Sequence, residues 1–351
     1  MISRKYVLGG ALPLVGFLLM SPLSRAQEPE QQKEPQRPMV YEGAPGGWRI
    51  LEEGQPPAMI HATVEDMKRF REANGNPRHG GQAGTQSELN YHGGIGGIGV
   101  ETAPKVFLVL WGSQWSNDPS GEATILENFY SGAGGSSWLN SVIQYCQGVA
   151  SGTVFCNGAG QAAGNPSGIF ASTTNVWRDN GSAAPRRPTQ SQLAAEAVRA
   201  ANHFGNITAA SNASVQYVIA TASGNNSRGF GSQYCAYHSA TSSTVGNIAY
   251  TNLPYITNAG ASCGANFNGL GPNAGITIVA GHEMAETITD QFPNGGWLDS
   301  SGGENGDKCA WISSGQGASA DVNFSTGTFP VQSLWSNAFN NNSGGCVLSF
   351  P

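Results

Sequence analysis

The chain has 351 residues, a net charge of −6, only 11% charged residues, 49 glycines and six cysteines. A charge-poor acidic chain with no basic cluster excludes nucleic acid as a partner. Its Gly, Ser, Asn and Thr content suits an exported protein better than a cytosolic enzyme.

Residues 1–26 read as a secretory signal peptide. Arg4 and Lys5 supply the positive start, Val7 to Met20 the apolar core, and Ser24-Arg25-Ala26 a small-x-small cleavage site. Pro13 interrupts the apolar run, which is too short for a comfortable membrane span. The mature chain is therefore expected to be secreted and free of the membrane. Residues 27–87 read as a polar leader, either propeptide or linker, opening on the disordered composition EPEQQKEPQRP. Within it, 61–74 predicts a short amphipathic helix with Thr63 as N-cap. His61, His79 and His203 read as surface residues of leader or helix.

The folded domain is assigned to 88–351. Lys105 to Trp111, KVFLVLW, predicts a buried strand. Residues 121–130 and 137–145 predict helices, and Thr153-Val154-Phe155 a short strand. Thr189 and Gln192 form a capping box opening a helix to about Phe204, with Leu193, Ala197 and Ala200 on its apolar face. VQYVIATA at 215–222 and the run 246–250 predict two more strands. Strands alternating with helices predict an α/β domain.

The chemistry concentrates in GITIVAGHEMAETITDQFPNGGWLDSSGGENGDKCAW, from Gly275 to Trp311. Read as a helix, 275–290 places His282 and Glu286 one turn apart on one face, where both can hold one metal ion. Glu283 lies about 100° further round, within reach of a metal-bound water. The motif is H-E-x-x-E rather than the H-E-x-x-H of common zinc peptidases. Zinc so held would lower the pKa of its water from about 15.7 towards about 7. Glu304 is the first choice of third ligand, because the break at Pro293-Asn294-Gly295-Gly296 lets the chain return to the helix. Asp307 is the second and Asp290 the third. His238 is a candidate to steady an oxyanion or to bind metal, and His92 is a comparable one, since the glycines after it allow close backbone approach. Gly260-Ala261-Ser262-Cys263-Gly264 matches a nucleophile elbow only formally, since a Gly/Asn-rich loop follows it.

All six cysteines fall after position 145. An even number in an exported chain predicts three disulfides; of 15 pairings the simplest joins sequence neighbours, 146–156, 235–263 and 309–346.

Three landmarks together resemble the EXORDIUM-like, phosphate-induced secreted protein family. They are Tyr91-His92-Gly93-Gly94 with its following strand and Trp111-Gly112, the Cys235-x-x-His238 segment, and HEMAE…ENGDKCAW. The resemblance implies that His282, Glu283, Glu286 and Glu304 map to a metal site and Cys309 to a bridge. Some plant members lack the His-Glu pair and are associated with the cell wall, whereas this chain keeps it.

The expectation is thus a single secreted α/β domain with a central sheet, disulfide-stapled loops and a zincin-like active-site helix. Zinc would sit on His282, Glu286 and Glu304, with Glu283 and His238 as catalytic residues of a metallopeptidase acting on peptide or protein. The rival is a non-catalytic binder of cell-wall polysaccharide with a structural Ca2+; a histidine ligand favours a transition metal over calcium.

Overall fold

The computed structural model describes residues 46–74, 88–181 and 183–350. The expected signal peptide, the proline-rich start of the leader and the glycine-rich run from Gly75 lie outside the described residues.

Among the described residues, a seven-stranded mixed sheet forms the centre of the fold. Its strands are β1 (Gly47–Arg49), β2 (Ala58–His61), β3 (Lys105–Trp111), β4 (Val176–Asp179), β5 (Val215–Thr221), β6 (Ala236–Ser243) and β7 (Gly246–Leu253). Across the sheet the order is β1-β2-β6-β7-β5-β3-β4. Strands β4, β3, β5 and β7 run parallel, and β6, β2 and β1 add on antiparallel. The continuous apolar run of β3 follows from its place inside this sheet. Val106, Leu108 and Leu110 enter one core, and Phe107, Val109 and Trp111 the other.

The main helices are α1 (Val64–Asn74), α2 (Glu122–Ala133), α3 (Gln190–His203) and α4 (Ala274–Thr289). Thr63 caps α1 by accepting the Asp66 amide, and the capping box of α3 forms as its sequence requires. Helix α3 covers one face of the sheet, with Leu193, Ala197 and Ala200 against Phe107, Tyr217 and Ile219. Helix α4 lies on the other face, beneath α2 and the strand pair Ala320–Phe324 and Gly327–Val331. Every residue of α4 is buried. Ile276, Ile278, Val279, Met284, Ala285 and Ile288 leave the helix no solvent side, so its charged residues are carried inside with it.

The six cysteines form Cys146–Cys156, Cys235–Cys263 and Cys309–Cys346, the sequence-neighbour pairing. No helix among the described residues is long and apolar enough to cross a membrane. Residues 137–145 form only a 3-10 helix, Leu139–Gln144, and Thr153 to Phe155 form no strand.

The domain does not begin at 88. Residues 47–61 build β1 and β2 into the main sheet, and α1 packs against the 3-10 helix Ile256–Cys263. Composition assigns this segment to the leader because AMIH is too short to stand out and runs directly into a helix cap. His61 is accordingly the end of a strand, not the surface of a helix.

Glu101, just ahead of β3, has a fully buried carboxyl that accepts a hydrogen bond from Gln216 Nε2 at 3.0 Å. Burial pushes its pKa from 4.5 up to about 8, with the Gln216 bond opposing. The folded state therefore binds this proton more tightly than the unfolded chain. Its stabilising share is complete below pH 4.5 and is lost as pH rises through about 8. Glu101→Gln should flatten this part of the stability profile; the melting-temperature difference between wild type and variant, followed across that pH range, measures it.

Candidate metal centre

The C-terminal half of α4 projects His282, Glu283 and Glu286 toward the sheet and toward the loop 304–307. Strand β6 presents His238 to them. In β2, Ala58 and Ile60 join the α3-side core, so the two-residue strand period turns Met59 and His61 to the α4 side. His61 stacks on His282 with ring centroids 3.7 Å apart and planes 3° from parallel, and Trp311 covers its other face at 4.9 Å. Eight titratable side chains thus meet: His61, His238, His282, Glu283, Glu286, Asp290, Glu304 and Asp307. None is more than 2% exposed.

The loop is held to the helix by its own backbone. The Asp307 amide donates to Glu286 Oε1 at 2.9 Å, and the Glu304 amide to Asp307 Oδ2 at 3.2 Å. Asn305 Nδ2 donates to Thr289 Oγ1 at 3.1 Å and to the Ala285 carbonyl at 3.3 Å. The Cys309–Cys346 bridge anchors the chain just beyond. Gly306 lies against the His282 and Glu286 side chains: a Cβ there would stand 2.7 Å from His282 Nδ1 and 2.8 Å from Glu286 Oε1. The glycine of E-x-G-D is therefore a steric requirement of the site.

Gln332 fixes the state of His282. Its Nε2 donates to the Gly306 carbonyl at 2.9 Å, which turns Oε1 to His282 Nδ1 at 3.2 Å. His282 must then carry its proton on Nδ1, leaving the Nε2 lone pair free. That lone pair faces Glu286 Oε1 at 3.0 Å and Asp307 Oδ1 at 3.8 Å. A histidine held by a hydrogen bond on one nitrogen and open on the other is the usual form of a metal ligand.

His282 and Glu286 are in contact, and burial works against an ion pair between them. Burial lowers the His282 pKa to about 4, with Asp307 and Gln332 pulling the other way. Burial likewise lowers His238 to about 3 and His61 well below its ordinary value, the nearby His282 adding to both. Glu283, Glu286, Glu304 and Asp307 are all pushed well above the carboxylate range, first by burial. Neighbouring carboxyls add to this, Asp290 in the case of Glu286, while the Asp307 amide and the Glu304 side chain pull Glu286 the other way. Asp290 rises only to about 7, because burial is opposed by the amides of Asn294, Gly295 and Gly296. The direction of these shifts favours protonated carboxyls in the absence of a cation; a bound cation would replace those protons.

Of the sequence candidates, His282, Glu286 and Asp307 come together as one set of donors. Glu304, the first choice of third ligand, groups instead with His238 and Asp290. The loop turns its first acid toward β6 and its second toward α4. Both ring nitrogens of His238 face carboxyl groups, Nδ1 at 3.3 Å from Glu283 Oε2 and Nε2 at 3.6 Å from Glu304 Oε1. This geometry suits a ligand, or a partner that orients Glu283, better than a donor to an oxyanion. His92 is exposed and away from the cluster, and Cys263 of the formal nucleophile elbow is bridged to Cys235. Sequence reasoning missed His61 and Gln332. The AMIH run ahead of the Thr63 cap carries the only local signal for the first, and nothing local marks the second.

Comparison with models of protein families, with curated proteins and with solved structures returns no match.

Two substitutions test this architecture. Gly306→Ala should lower stability by about 1–3 kcal/mol through overpacking, read by denaturant unfolding. Gln332→Leu should weaken divalent-metal binding about 10–100-fold by freeing the His282 tautomer, read by competition with a chromophoric chelator.

Proposed function

We propose that this protein is an exported zinc-dependent hydrolase acting on peptide bonds. The observation that carries the reading is Glu283. It lies beside His282 on α4, fully buried, with Oε2 against His238 and Oε1 without a hydrogen-bond partner. Glu283 lies outside the His282, Glu286 and Asp307 group, although it also belongs to two other possible donor groups, with His61 and His282 and with His238 and Glu286. Its unpartnered Oε1 beside His282 favours proton transfer.

The donor set fits the metal. One imidazole and two carboxylates match zinc chemistry and leave a fourth position for water or substrate, and the imidazole argues against calcium. Zinc, when bound, polarises a carbonyl and makes water acidic near neutral pH. Glu283 then serves as the group that takes and returns the proton, and His238 Nδ1 orients it. Paired cysteines and a charge-poor composition support export, and the likeness to EXORDIUM-like sequences agrees with it.

Complete burial requires an opening step before a substrate can reach Glu283. One covering element is β2, a four-residue strand that lies between β6 and the short edge strand β1. Its departure would uncover both His282 and the β6 edge. Surface clefts occur elsewhere, one lined by Gly315 to Ala318 and Phe339, another by Arg186, Arg187 and Arg228.

The same burial favours a second reading, a non-catalytic wall-binding protein whose cation only holds the loop 304–307 to α4. The two part at one variant. In the hydrolase, Glu283→Gln keeps its zinc by elemental analysis and loses at least about a hundredfold in peptide-library turnover. Turnover unchanged by this substitution, or a wild-type protein free of transition metal after loading, would overturn the proposal.

A further inference from the structure

Four donor groups form among these buried side chains; two contain Glu283, and the two without it have no residue in common. One is His282, Glu286 and Asp307; the other is His238, Asp290 and Glu304. In each, one donor atom per residue lies within 4.8 Å of the others. Bonds of about 2.0–2.2 Å at the tetrahedral angle put neighbouring donors roughly 3.3–3.6 Å apart. The spacings bracket that value: 3.0 and 3.8 Å in the first set, and 3.6 Å between His238 Nε2 and Glu304 Oε1 in the second.

The second set carries its own unpartnered atoms. His238 Nε2 and both oxygens of Glu304 are fully buried without a hydrogen bond of good geometry, Glu304 having the Glu286 carboxyl beside it. Two carboxyl oxygens and an imidazole nitrogen left bare in a protein interior are costly unless something binds them. Asp290 still has capacity. Its oxygens accept three backbone amides, from Asn294, Gly295 and Gly296, out of about four acceptor positions.

One ion cannot serve both sets. The two nitrogens of an imidazole point to opposite sides of the ring. His238 Nδ1 faces Glu283 and, at 3.8 Å, Glu286 Oε2, so an ion on Nε2 lies on the side away from them, toward Glu304. The Nδ1 contact with Glu283 orients His238 much as Gln332 orients His282. His61 does not merge the sets either. A ligated imidazole keeps its metal in the ring plane, and the parallel His61 and His282 planes stand too far apart to share one. Charge agrees, because each set pairs two carboxylates with one histidine and so matches one divalent ion.

We propose that the protein binds two divalent transition-metal ions, the second held by His238, Asp290 and Glu304. This deepens the hydrolase reading, on which the identity of the first ion rests. Two-ion centres clamp both sides of a scissile bond, a known arrangement among hydrolases.

The test is metal stoichiometry of the full chain, loaded with Co2+ and desalted, by elemental analysis and native mass spectrometry. Wild type should hold two ions per chain. Glu304→Gln, nearly isosteric, and His238→Gln should each hold one, and so should His282→Gln, with the Co2+ visible bands of the two classes differing. Near-UV circular dichroism confirms that each variant is folded. One ion in wild type, retained in Glu304→Gln, would overturn the second site and leave the first. Loss of the only ion in Glu304→Gln would overturn it by returning Glu304 to the first site. No ion in wild type would sink both proposals.

Discussion

Five carboxyl groups buried together with no lysine or arginine paired to them, among the described residues, are the constraint from which the rest of this structure follows. The nearest cation, Lys308, is engaged by Asp299 at 3.1 Å and lies over Trp335. One uncompensated buried charge costs several kcal/mol, and a domain has about 5–15 kcal/mol of stability in all. Five such charges cannot stand near neutral pH. Protons or divalent cations must balance them, and three neutral imidazoles turned into the same space favour cations.

The fold supplies what that cluster needs. Helix α4 is apolar around its circumference, so it can be buried only whole, and its His and Glu residues go inside with it. The loop 304–307 satisfies part of the carboxylate demand with its own amides. Gly306 permits the close approach, and the Cys309–Cys346 bridge keeps the loop from leaving. Gln332, from the segment following the strand Gly327–Val331, sets the proton on His282. Strand β2 closes the last side with His61, and Trp311 is tied to β2 through its Nε1–H to the Ala62 carbonyl at 2.8 Å. Arg71 of α1 donates to the carbonyls of Ala310 and Trp311. The segment that composition assigns to a leader is thus part of the wall of the site.

That wall gives a chemical tension. Low dielectric strengthens any electrostatic catalysis inside it, but it also bars a polymer from Glu283. The β1–β2 end of the sheet offers a resolution, because the edge strand β1 has three residues and β2 only four, whereas α4 is buried along its whole length.

Local features are legible in the chain alone. Caps and periodicity place α3 and α4 to within a residue or two, an unbroken apolar run marks β3, and H-E-x-x-E spacing sets His282 and Glu286 on one helical face. Neighbouring cysteines pair because short loops close readily. The tertiary structure decided what depends on segments distant in the chain. Glu304 and Asp307 are alike in composition and only three residues apart, yet packing turns one to β6 and the other to α4. His61 and Gln332 lie 221 and 50 residues from His282 and reach it only through sheet register and chain return. Periodicity encodes which face a residue takes on its own element; which faces meet is fixed only when burial brings the elements together.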